Sequence, residues 1–289
     1  MFRRTFFILA LNYHGSTLLA KLLNGHPRVV CLVDTYPSNR FDQICGCGVP
    51  VSECGFWQTV KQRLRADRYL DQPVMLPAYP RIFGGSVDRY LYNTLRPTVT
   101  GRLVARPDAR RFVEEYATFL ECVHAQYKER EPEVFVDGCK SIARVAAFLA
   151  SGARVDGVIH LTRDAGDSAK STMKQVSGGM PTLVRSAIGW RLYHGRARRL
   201  RRYAPYLPIS YEELTDRTDE TLEKLFEFMD VEPMRAAALL QDQDVPWHFM
   251  GNVSLFGFDG RIARRRYELS RTERRLVRLL AGREMPKSR

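Results

Sequence analysis

The sequence of 289 residues contains no apolar run of the ~20 residues that a helix needs to cross a bilayer. The run Phe6–Leu11 is shorter than the ~7–15 apolar residues of a secretion signal, and no small-residue cleavage pattern follows it. Internal repeats and low-complexity tracts are also absent. We therefore interpret the chain as a cytoplasmic protein, and its length and 45% hydrophobic content predict a single domain over residues 1–289.

Cysteine is scarce, with six residues spread through the chain, and reduced thiols are the default in the cytosol. Three of them, Cys45, Cys47 and Cys54, have a C-x-C-x6-C spacing. This spacing lacks a clear fourth metal ligand nearby, although Cys31 or His26 could serve. We therefore expect a structural thiol cluster here and no metal.

The turn after the first apolar run lacks the lysine of an ATP-binding loop. A Walker A loop reads G-x-x-x-x-G-K-[ST], whereas Ala10 stands at the first glycine position and Ser16 at the lysine position. A buried strand, a Gly/Ser/Thr turn and an amphipathic helix in this order predict an anion at the helix N-terminus. The site therefore favours a phosphate over a Mg-bound triphosphate.

Negative charge is also in deficit, and the formal net charge is +13. Nucleic acid, an anionic membrane surface or a small polyanionic ligand could each explain this charge. No nucleic-acid recognition motif is present, so we expect no nucleic-acid partner. Arginine runs lie within residues 196–202 and 261–266, and we interpret them as solvated helix faces or tails, with an anionic membrane or glycan as the alternative partner.

Short apolar runs alternate with helical patterns along the chain, which predicts an α/β fold with a mostly parallel sheet covered on both faces. Helical spacing occurs over residues 110–130, 143–150, 164–174, 183–203 and 218–229, where Thr218 is the expected cap, and from 272 onward. The predicted strands are Thr5–Leu11, Val29–Val33, Val134–Val136, Val158–Leu161 and Leu207–Ser210.

Polar residues follow each predicted strand, and the carboxyl ends of parallel strands form one crevice in such a sheet. The set contains phosphate donors, a carboxylate, a lysine and an arginine but no acidic pair for Mg²⁺, which suits transfer of an anionic group without a metal. Its members are His14–Thr17, Asp34, Asp137, Lys140, Ser141, Arg163, Asp164 and Tyr211.

Several segments resemble, in chain order, motifs of PAPS-dependent sulfotransferases, more closely the bacterial members near the tyrosylprotein and carbohydrate branches. The ordered set is more specific than any single motif and extends from about residue 5 to 260. The segments are Asn12–Thr17 ([KR]-S-G-[ST]-T), His26-Pro27 with Val29 and Asp34 (H-P-x-V…E), Val136–Ser141 (V-D-x-S-K-S), Arg163–Ser171 (R-D-P-x-D-x-x-x-S), Ser210–Leu214 (R-Y-E-D-L), Cys45–Trp57, and His248 with Gly251 and Asn252.

The resemblance implies a P-loop-like, three-layer sulfotransferase fold, PAPS as sulfuryl donor, no metal and a hydroxyl acceptor such as a carbohydrate or lipid-linked glycan. It implies that Asp34 is the base, that Lys140 stabilises the leaving oxygen and that residues 56–130 form a partly helical acceptor-side insertion. The implied PAPS contacts are Tyr13, His14, Gly15, Ser16 and Thr17 at the 5′-phosphosulfate, Arg163 and Ser171 at the 3′-phosphate, and Tyr211, Gly251 and Asn252.

Tyr13 departs from the family pattern, because it stands where the family carries Lys or Arg. His14, Lys140 or an arginine from elsewhere in the chain could replace the missing cation, and we count His14 among the candidate catalytic residues. Three alternatives stay open: a PAPS-binding protein without turnover, a P-loop small-molecule kinase, and a nucleic-acid binder suggested by charge alone. The oligomeric state is not readable from the sequence.

Overall fold

A computed structural model describes residues 1–33, 44–63, 107–138, 140–150, 152–241, 248 and 261–282. It contains a sheet of five parallel strands at the positions that the apolar runs predict. The strands are β1 (Arg4–Leu9), β2 (Val29–Val33), β3 (Val134–Gly138), β4 (Gly157–Thr162) and β5 (Tyr206–Ser210), in the order β2-β3-β1-β4-β5.

Helices connect these strands and cover the sheet. The described helices are α1 (Ser16–Asn24), α2 (Gly55–Arg63), α3 (Pro107–Gln126), α4 (Ile142–Ala150), α5 (Ala165–Gln175), α6 (Met180–Ala197), α7 (Tyr211–Asp216), α8 (Thr218–Met229), α9 (Ala236–Gln241) and α10 (Arg271–Ala281), with 3-10 turns over Lys128–Arg130 and Arg198–Arg202.

Both faces of the sheet are buried. Phe7 and Leu9 of β1 belong to one hydrophobic cluster, which includes residues of α2, α3, α4 and the end of α6. Phe6 and Ile8 belong to a second cluster, which includes residues of α1, α8 and α9. Because side chains alternate along a strand, this division into two cores is the period of two expected for a sheet between helical layers. The predicted three-layer α/β/α fold is confirmed.

The start of α8 differs from the prediction. Thr218 is the first helical residue and does not cap the helix; its hydroxyl instead donates to the Leu214 carbonyl at 2.8 Å. Arg217 occupies the N-cap position, but its guanidinium donates to Glu213 Oε1 at 3.4 Å and does not cap the helix. An arginine side chain has no oxygen that could accept from the first-turn N–H groups, so α8 begins without a side-chain cap.

The C-terminal helix α10 packs against α5 and α6 through one apolar face. Val277 and Ala281 are buried in a third cluster with Trp190. The helix begins with a capping box between Ser270 and Glu273, and Lys170 of α5 forms a salt bridge with Glu273 at 2.6 Å. These contacts fix the position of the segment that precedes α10. Among the described helices, none combines the length and hydropathy that a membrane crossing requires.

A buried ion pair joins the third strand to the helix that follows it. The Asp137 carboxylate accepts hydrogen bonds from Arg144 Nη1 at 2.7 Å and from the Tyr116 hydroxyl at 2.5 Å, and the Asp137 and Arg144 side chains are at most 1% exposed. Asp137 follows the predicted strand in sequence but lies within β3. Its carboxylate therefore stabilises the layer packing rather than lining the crevice.

We predict that Arg144→Ala destabilises the protein by about 3–5 kcal/mol, because it leaves a buried carboxylate without its counter-charge. Urea unfolding followed by circular dichroism measures the difference. Arg154→Ala is the matched control, since Arg154 pairs with Asp156 but its side chain is 74% exposed, and it should change stability by less than about 0.5 kcal/mol. Equal effects of the two substitutions would contradict the assignment.

Candidate functional site

The loop between β1 and α1, hereafter the anion loop (Asn12–Thr17), presents main-chain N–H groups at a helix start. Gly15 is the N-cap residue, and no side chain caps the helix. The first-turn N–H groups of an α-helix have no acceptor within the helix, so they are available to an anion. Tyr13 and Gly15 both have positive φ angles, of 65° and 87°, which turn the chain sharply from strand to helix.

Arg163 connects the anion loop to the rest of the crevice. It follows β4, its side chain is buried, and its Nη1 donates to the Tyr13 carbonyl at 2.7 Å. Its Nη2 donates to the Arg265 carbonyl at 2.6 Å, and its guanidinium lies 4.4 Å from the centre of the Tyr211 ring. Nε has no hydrogen-bond partner among the described residues. A guanidinium has five N–H donors, so donors remain for an incoming oxyanion.

The main chain around Arg163 is held by the helix that it precedes. Asp164 caps α5, its Oδ1 accepting from the N–H groups of Gly166 and Asp167 at 2.8 and 2.9 Å. The Asp164 N–H donates to Glu212 Oε1 at 3.1 Å, and the Trp190 indole donates to the Arg163 carbonyl at 2.8 Å. Burial raises the pKa of Glu212, and burial likewise raises the pKa of Asp167. Arg163 therefore directly follows β4, and Asp164 caps the start of α5.

Ser171 lies two turns further along α5, on the same side of the helix as the cap. Its side chain is buried, and its hydroxyl lies 3.3 Å from the Tyr267 hydroxyl. The Tyr267 ring is 5.6 Å from the Arg163 guanidinium and 4.8 Å from Lys174 Nζ. Arg163 and Ser171 therefore both lie beside Tyr267. The eight-residue spacing of the motif agrees with this, because it places Ser171 about two helical turns after Arg163.

The segment 261–270, hereafter the strap, is neither helix nor strand and contacts this site through its main chain. The Tyr267 N–H donates to Asp167 Oδ1 at 2.9 Å, and the Arg265 N–H donates to the Tyr211 hydroxyl at 3.3 Å. Arg264 pairs with Asp216 at 3.2 Å. The side chains of Arg265 and Arg266 are exposed. The expectation of a solvated tail is therefore wrong for Arg264, whereas it agrees with the exposure of Arg265 and Arg266.

Lys140 also lies near the anion loop. It has a φ of 64°, and its carbonyl accepts from the Tyr193 hydroxyl at 2.8 Å. The positive charges of Arg163 and Lys140 add to the effect of burial in lowering the pKa of His14, so both act electrostatically on the anion loop. The crevice therefore receives two positive charges from outside the anion loop, one after β3 and one after β4.

His14 belongs to a chain of three buried imidazoles, the histidine chain (His14, His160 and His194). Its Nδ1 donates to the Asn12 carbonyl at 3.1 Å, so its Nε2 accepts from His194 Nε2 at 3.1 Å. The other His194 nitrogen then accepts from His160 Nε2 at 2.7 Å, and His160 Nδ1 accepts from the Tyr206 hydroxyl. One main-chain carbonyl therefore fixes every tautomer, with all three rings neutral.

Burial is the main cause that keeps these rings uncharged. It lowers the pKa of His14 and His160 to about 3, and that of His194 well below its usual range. Burial also raises the pKa of Tyr206, which keeps its hydroxyl a donor. His14 therefore contributes no positive charge near neutral pH, and the positive charge of the described crevice comes from other residues, among them Arg163 and Lys140.

We predict that three of the six histidines do not titrate between pH 5 and 8 in the folded protein. Each folded-state pKa lies below the unfolded value of ~6.5, so stability is full above ~6.5 and falls as the pH drops toward 3, by up to about 1.4 kcal/mol per pH unit for each ring. Histidine ring NMR signals followed against pH measure this. The urea-unfolded chain is the control, in which all six rings should titrate near 6.5. A His14 pKa near 6.5 in the folded protein would contradict the tautomer assignment.

We predict that Gly15→Ala disrupts the anion loop. A methyl group at Gly15 would lie 2.5 Å from Tyr211 Cδ2, and the left-handed backbone costs about 1–2 kcal/mol for an L-residue. Thermal unfolding measures the loss. Gly195→Ala on α6 is the control, since nothing lies within 4 Å of its added methyl, and it should be neutral or stabilising. A thermally neutral Gly15→Ala would show that the ring of Tyr211 does not pack against this loop.

The remaining predicted site residues lie outside the described residues, namely Asp34, Gly251 and Asn252. Asp34 directly follows Val33, the last residue of β2, in the sequence. Sequence reasoning missed Tyr267 and the strap carbonyl of Arg265, because neither follows a strand. It also missed His160 and His194, whose contacts join residues far apart in the chain.

No family model matches the sequence, and no curated protein matches it. Solved structures are also similar to this chain, among them the following three. The sulfotransferase domain of the Synechococcus PCC 7002 olefin synthase is 15% identical with a TM-score of 0.49, covering 98% of this chain and 95% of that one. The sulfotransferase domain from the curacin biosynthetic pathway is 15% identical with a TM-score of 0.48, covering 99% of each chain. The Mycobacterium avium sulfotransferase STF9 is 13% identical with a TM-score of 0.45, covering 83% of this chain and 66% of that one. All three are likenesses at low sequence identity, and each of these structures is described as a sulfotransferase or a sulfotransferase domain.

Proposed function

We propose that this protein transfers a sulfuryl group from PAPS to a hydroxyl acceptor by in-line displacement. The observation that carries the proposal is the contact between Arg163 and the Tyr13 carbonyl at 2.7 Å, which joins the two motifs assigned to the two phosphates of one ligand. A nucleotide with phosphates on both the 3′ and 5′ positions needs two such anion sites side by side.

We assign the 5′-phosphosulfate to the anion loop. The free N–H groups at the start of α1, including those of Ser16 and Thr17, favour an anion through hydrogen bonds and the positive end of the helix dipole. Gly15 carries no side chain, so the Tyr211 ring packs directly against the main chain of the loop. His14 contributes through the main chain and through the loop shape that its imidazole maintains, since that imidazole is neutral.

We assign the 3′-phosphate to Arg163 and Ser171. The guanidinium plane is held against Tyr211, and its remaining donors, including the buried Nε, can reach a phosphate oxygen. The Ser171 hydroxyl and Tyr267 hydroxyl offer further donors on the same side. Gly251 and Asn252 are proposed contacts of the same nucleotide on the basis of the motif alone.

The transfer step requires a base for the acceptor and a cation for the leaving oxygen. Asp34 is the proposed base: it takes the acceptor proton as the acceptor oxygen forms its bond to sulfur. The bond between sulfur and the bridging phosphate oxygen breaks at the same time, and the electron pair stays on that oxygen. Lys140 is the proposed cation that stabilises this charge. We place the acceptor against residues 56–130, and a carbohydrate, lipid-linked glycan or other small hydroxyl compound would serve.

One observation favours the alternative of PAPS binding without turnover. Tyr13 replaces the cation that the family places in the anion loop, and the adjacent His14 is uncharged because of its burial. The loop therefore has no side-chain cation of its own, and positive charge has to come from residues outside it, such as Lys140 and Arg163. Binding and turnover are tested separately for this reason.

We predict that adenosine 3′,5′-bisphosphate raises the thermal unfolding temperature, with about 2.7 kcal/mol of stabilisation at a concentration of 100 Kd. Ser171→Ala should weaken binding by about 1.5–3 kcal/mol, the value of a hydrogen bond to a charged group. Thr172→Ala is the matched control on the same helix, because the Thr172 hydroxyl already donates to the Ser168 carbonyl. Arg163→Lys keeps the charge, loses the planar donors and should also weaken binding.

Absence of stabilisation by the bisphosphate, or equal binding by the Ser171 and Thr172 variants, would overturn the proposal. Stabilisation by Mg-ATP in its place would favour the kinase alternative. Turnover is measured by mass spectrometry of small-molecule extracts incubated with the protein and labelled PAPS. Lys140→Ala and Asp34→Asn should abolish labelling and leave bisphosphate binding within about a factor of ten. Binding by the unmodified protein without labelling of any acceptor would favour the non-catalytic alternative.

A further inference from the structure

The three closely spaced cysteines lie together with a histidine that is distant in sequence. His248 Nδ1 lies 3.3 Å from Cys54 Sγ and 3.8 Å from Cys45 Sγ, and Cys47 Sγ lies 3.6 Å from Cys54 Sγ. All four ligand atoms lie within 4.8 Å of one another. The fourth ligand that the sequence spacing lacks is therefore present in the folded chain.

We propose that Cys45, Cys47, Cys54 and His248 bind one structural Zn²⁺ ion. Zinc bonds of about 2.3 Å to sulfur and 2.0–2.1 Å to nitrogen in a tetrahedron place neighbouring sulfur atoms about 3.8 Å apart and sulfur and nitrogen about 3.6 Å apart. The distances above lie close to these edges. Thiolate and imidazole ligands also select zinc over magnesium or calcium, which prefer oxygen.

The alternatives for the fourth ligand are engaged elsewhere. Cys31 is buried in the second core cluster, on β2. His26 Nε2 contacts the Glu232 carbonyl at 2.9 Å, and its Nδ1 accepts from the Arg28 N–H at 3.1 Å. The expected metal-free thiol cluster omitted His248, which is 194 residues from Cys54 and only reaches it in the folded chain.

The local backbone is also shaped for a metal. The Cys45 N–H donates to the Val49 carbonyl at 2.7 Å, the Gly48 N–H donates to the Cys45 carbonyl at 2.9 Å, and Gly48 has a φ of 93°. This tight turn presents two thiols two residues apart to the same point, which is how C-x-C and C-x-x-C segments offer paired ligands. Outer contacts of this kind orient the ligands of a metal site.

The surroundings of the cluster indicate a closed structural site. Cys45 and Cys54 are at most 1% exposed, and the His248 ring stacks on Phe56 at 4.4 Å with an interplanar angle of 6°. Phe56 and Trp57 belong to the hydrophobic cluster under the sheet. With four protein ligands, no coordination position is left for a substrate, so the metal would not be catalytic. It would instead link His248 to Cys54, the residue that directly precedes α2.

Metal content and thiol reactivity test the proposal on the full chain. Protein purified under reducing conditions without chelator should contain one zinc per chain by mass spectrometry of the metal. Removal of zinc should make three further thiols reactive toward a thiol reagent, and the unfolding temperature should fall on removal and recover when zinc alone is added back. Cobalt reconstitution should give the visible absorption of a tetrahedral thiolate site.

Substitutions locate the site. Cys47→Ser and His248→Ala should each lower the zinc content, whereas Cys122→Ser and His124→Ala, which remove one residue of each type outside the cluster, should retain one zinc per chain. If a ligand variant fails to fold, the zinc content of the unmodified protein and the visible absorption of its cobalt form still decide the question. Less than stoichiometric zinc after zinc is added, stoichiometric iron in its place, or a disulfide between two of the three cysteines would overturn the proposal.

Discussion

The architecture of the crevice depends on the contacts of the Arg163 guanidinium. It lies against the Tyr211 ring, and it donates to one carbonyl of the anion loop and one of the strap. Three segments that are far apart in sequence are joined through this one side chain. Because a guanidinium is planar and always charged, the joint is rigid and positive, which is the combination that an anion site needs.

The histidine chain explains how a polar layer can lie beneath this site without adding charge. A single carbonyl at Asn12 sets the proton of His14, and each neighbouring ring follows in turn to Tyr206. Buried polar groups are tolerated when every one has a partner, and these rings satisfy each other. The positive charge near the anion loop therefore comes from other residues, including Arg163 and Lys140. The replacement of the family's loop cation by Tyr13 thus bears on the charge of the site and not on the shape of the loop.

Much of the fold was predictable because it depends on local hydrophobic pattern. The runs Val29–Val33 and Val134–Val136 could be recognised as strands since strands buried on both faces are continuously apolar, and the stripe on α8 repeats with the period of a helix. The predictions failed where neighbouring elements intervened. Thr218 does not cap α8 because it is already helical and its hydroxyl donates to the Leu214 carbonyl of α7, and the Arg264 side chain is only 15% exposed because the strap brings it to Asp216.

The sequence by itself determined the five strands, the two anion motifs and the order in which the candidate groups follow the strands. These depend on spacings of a few residues, which local chain geometry converts directly into position. The tertiary structure alone decided that Arg163 reaches Tyr13, that Tyr267 faces Ser171 and that His248 meets three cysteines. Such contacts join residues about 100 to 200 positions apart, and their geometry follows from how the helices pack on the sheet, which no local pattern encodes.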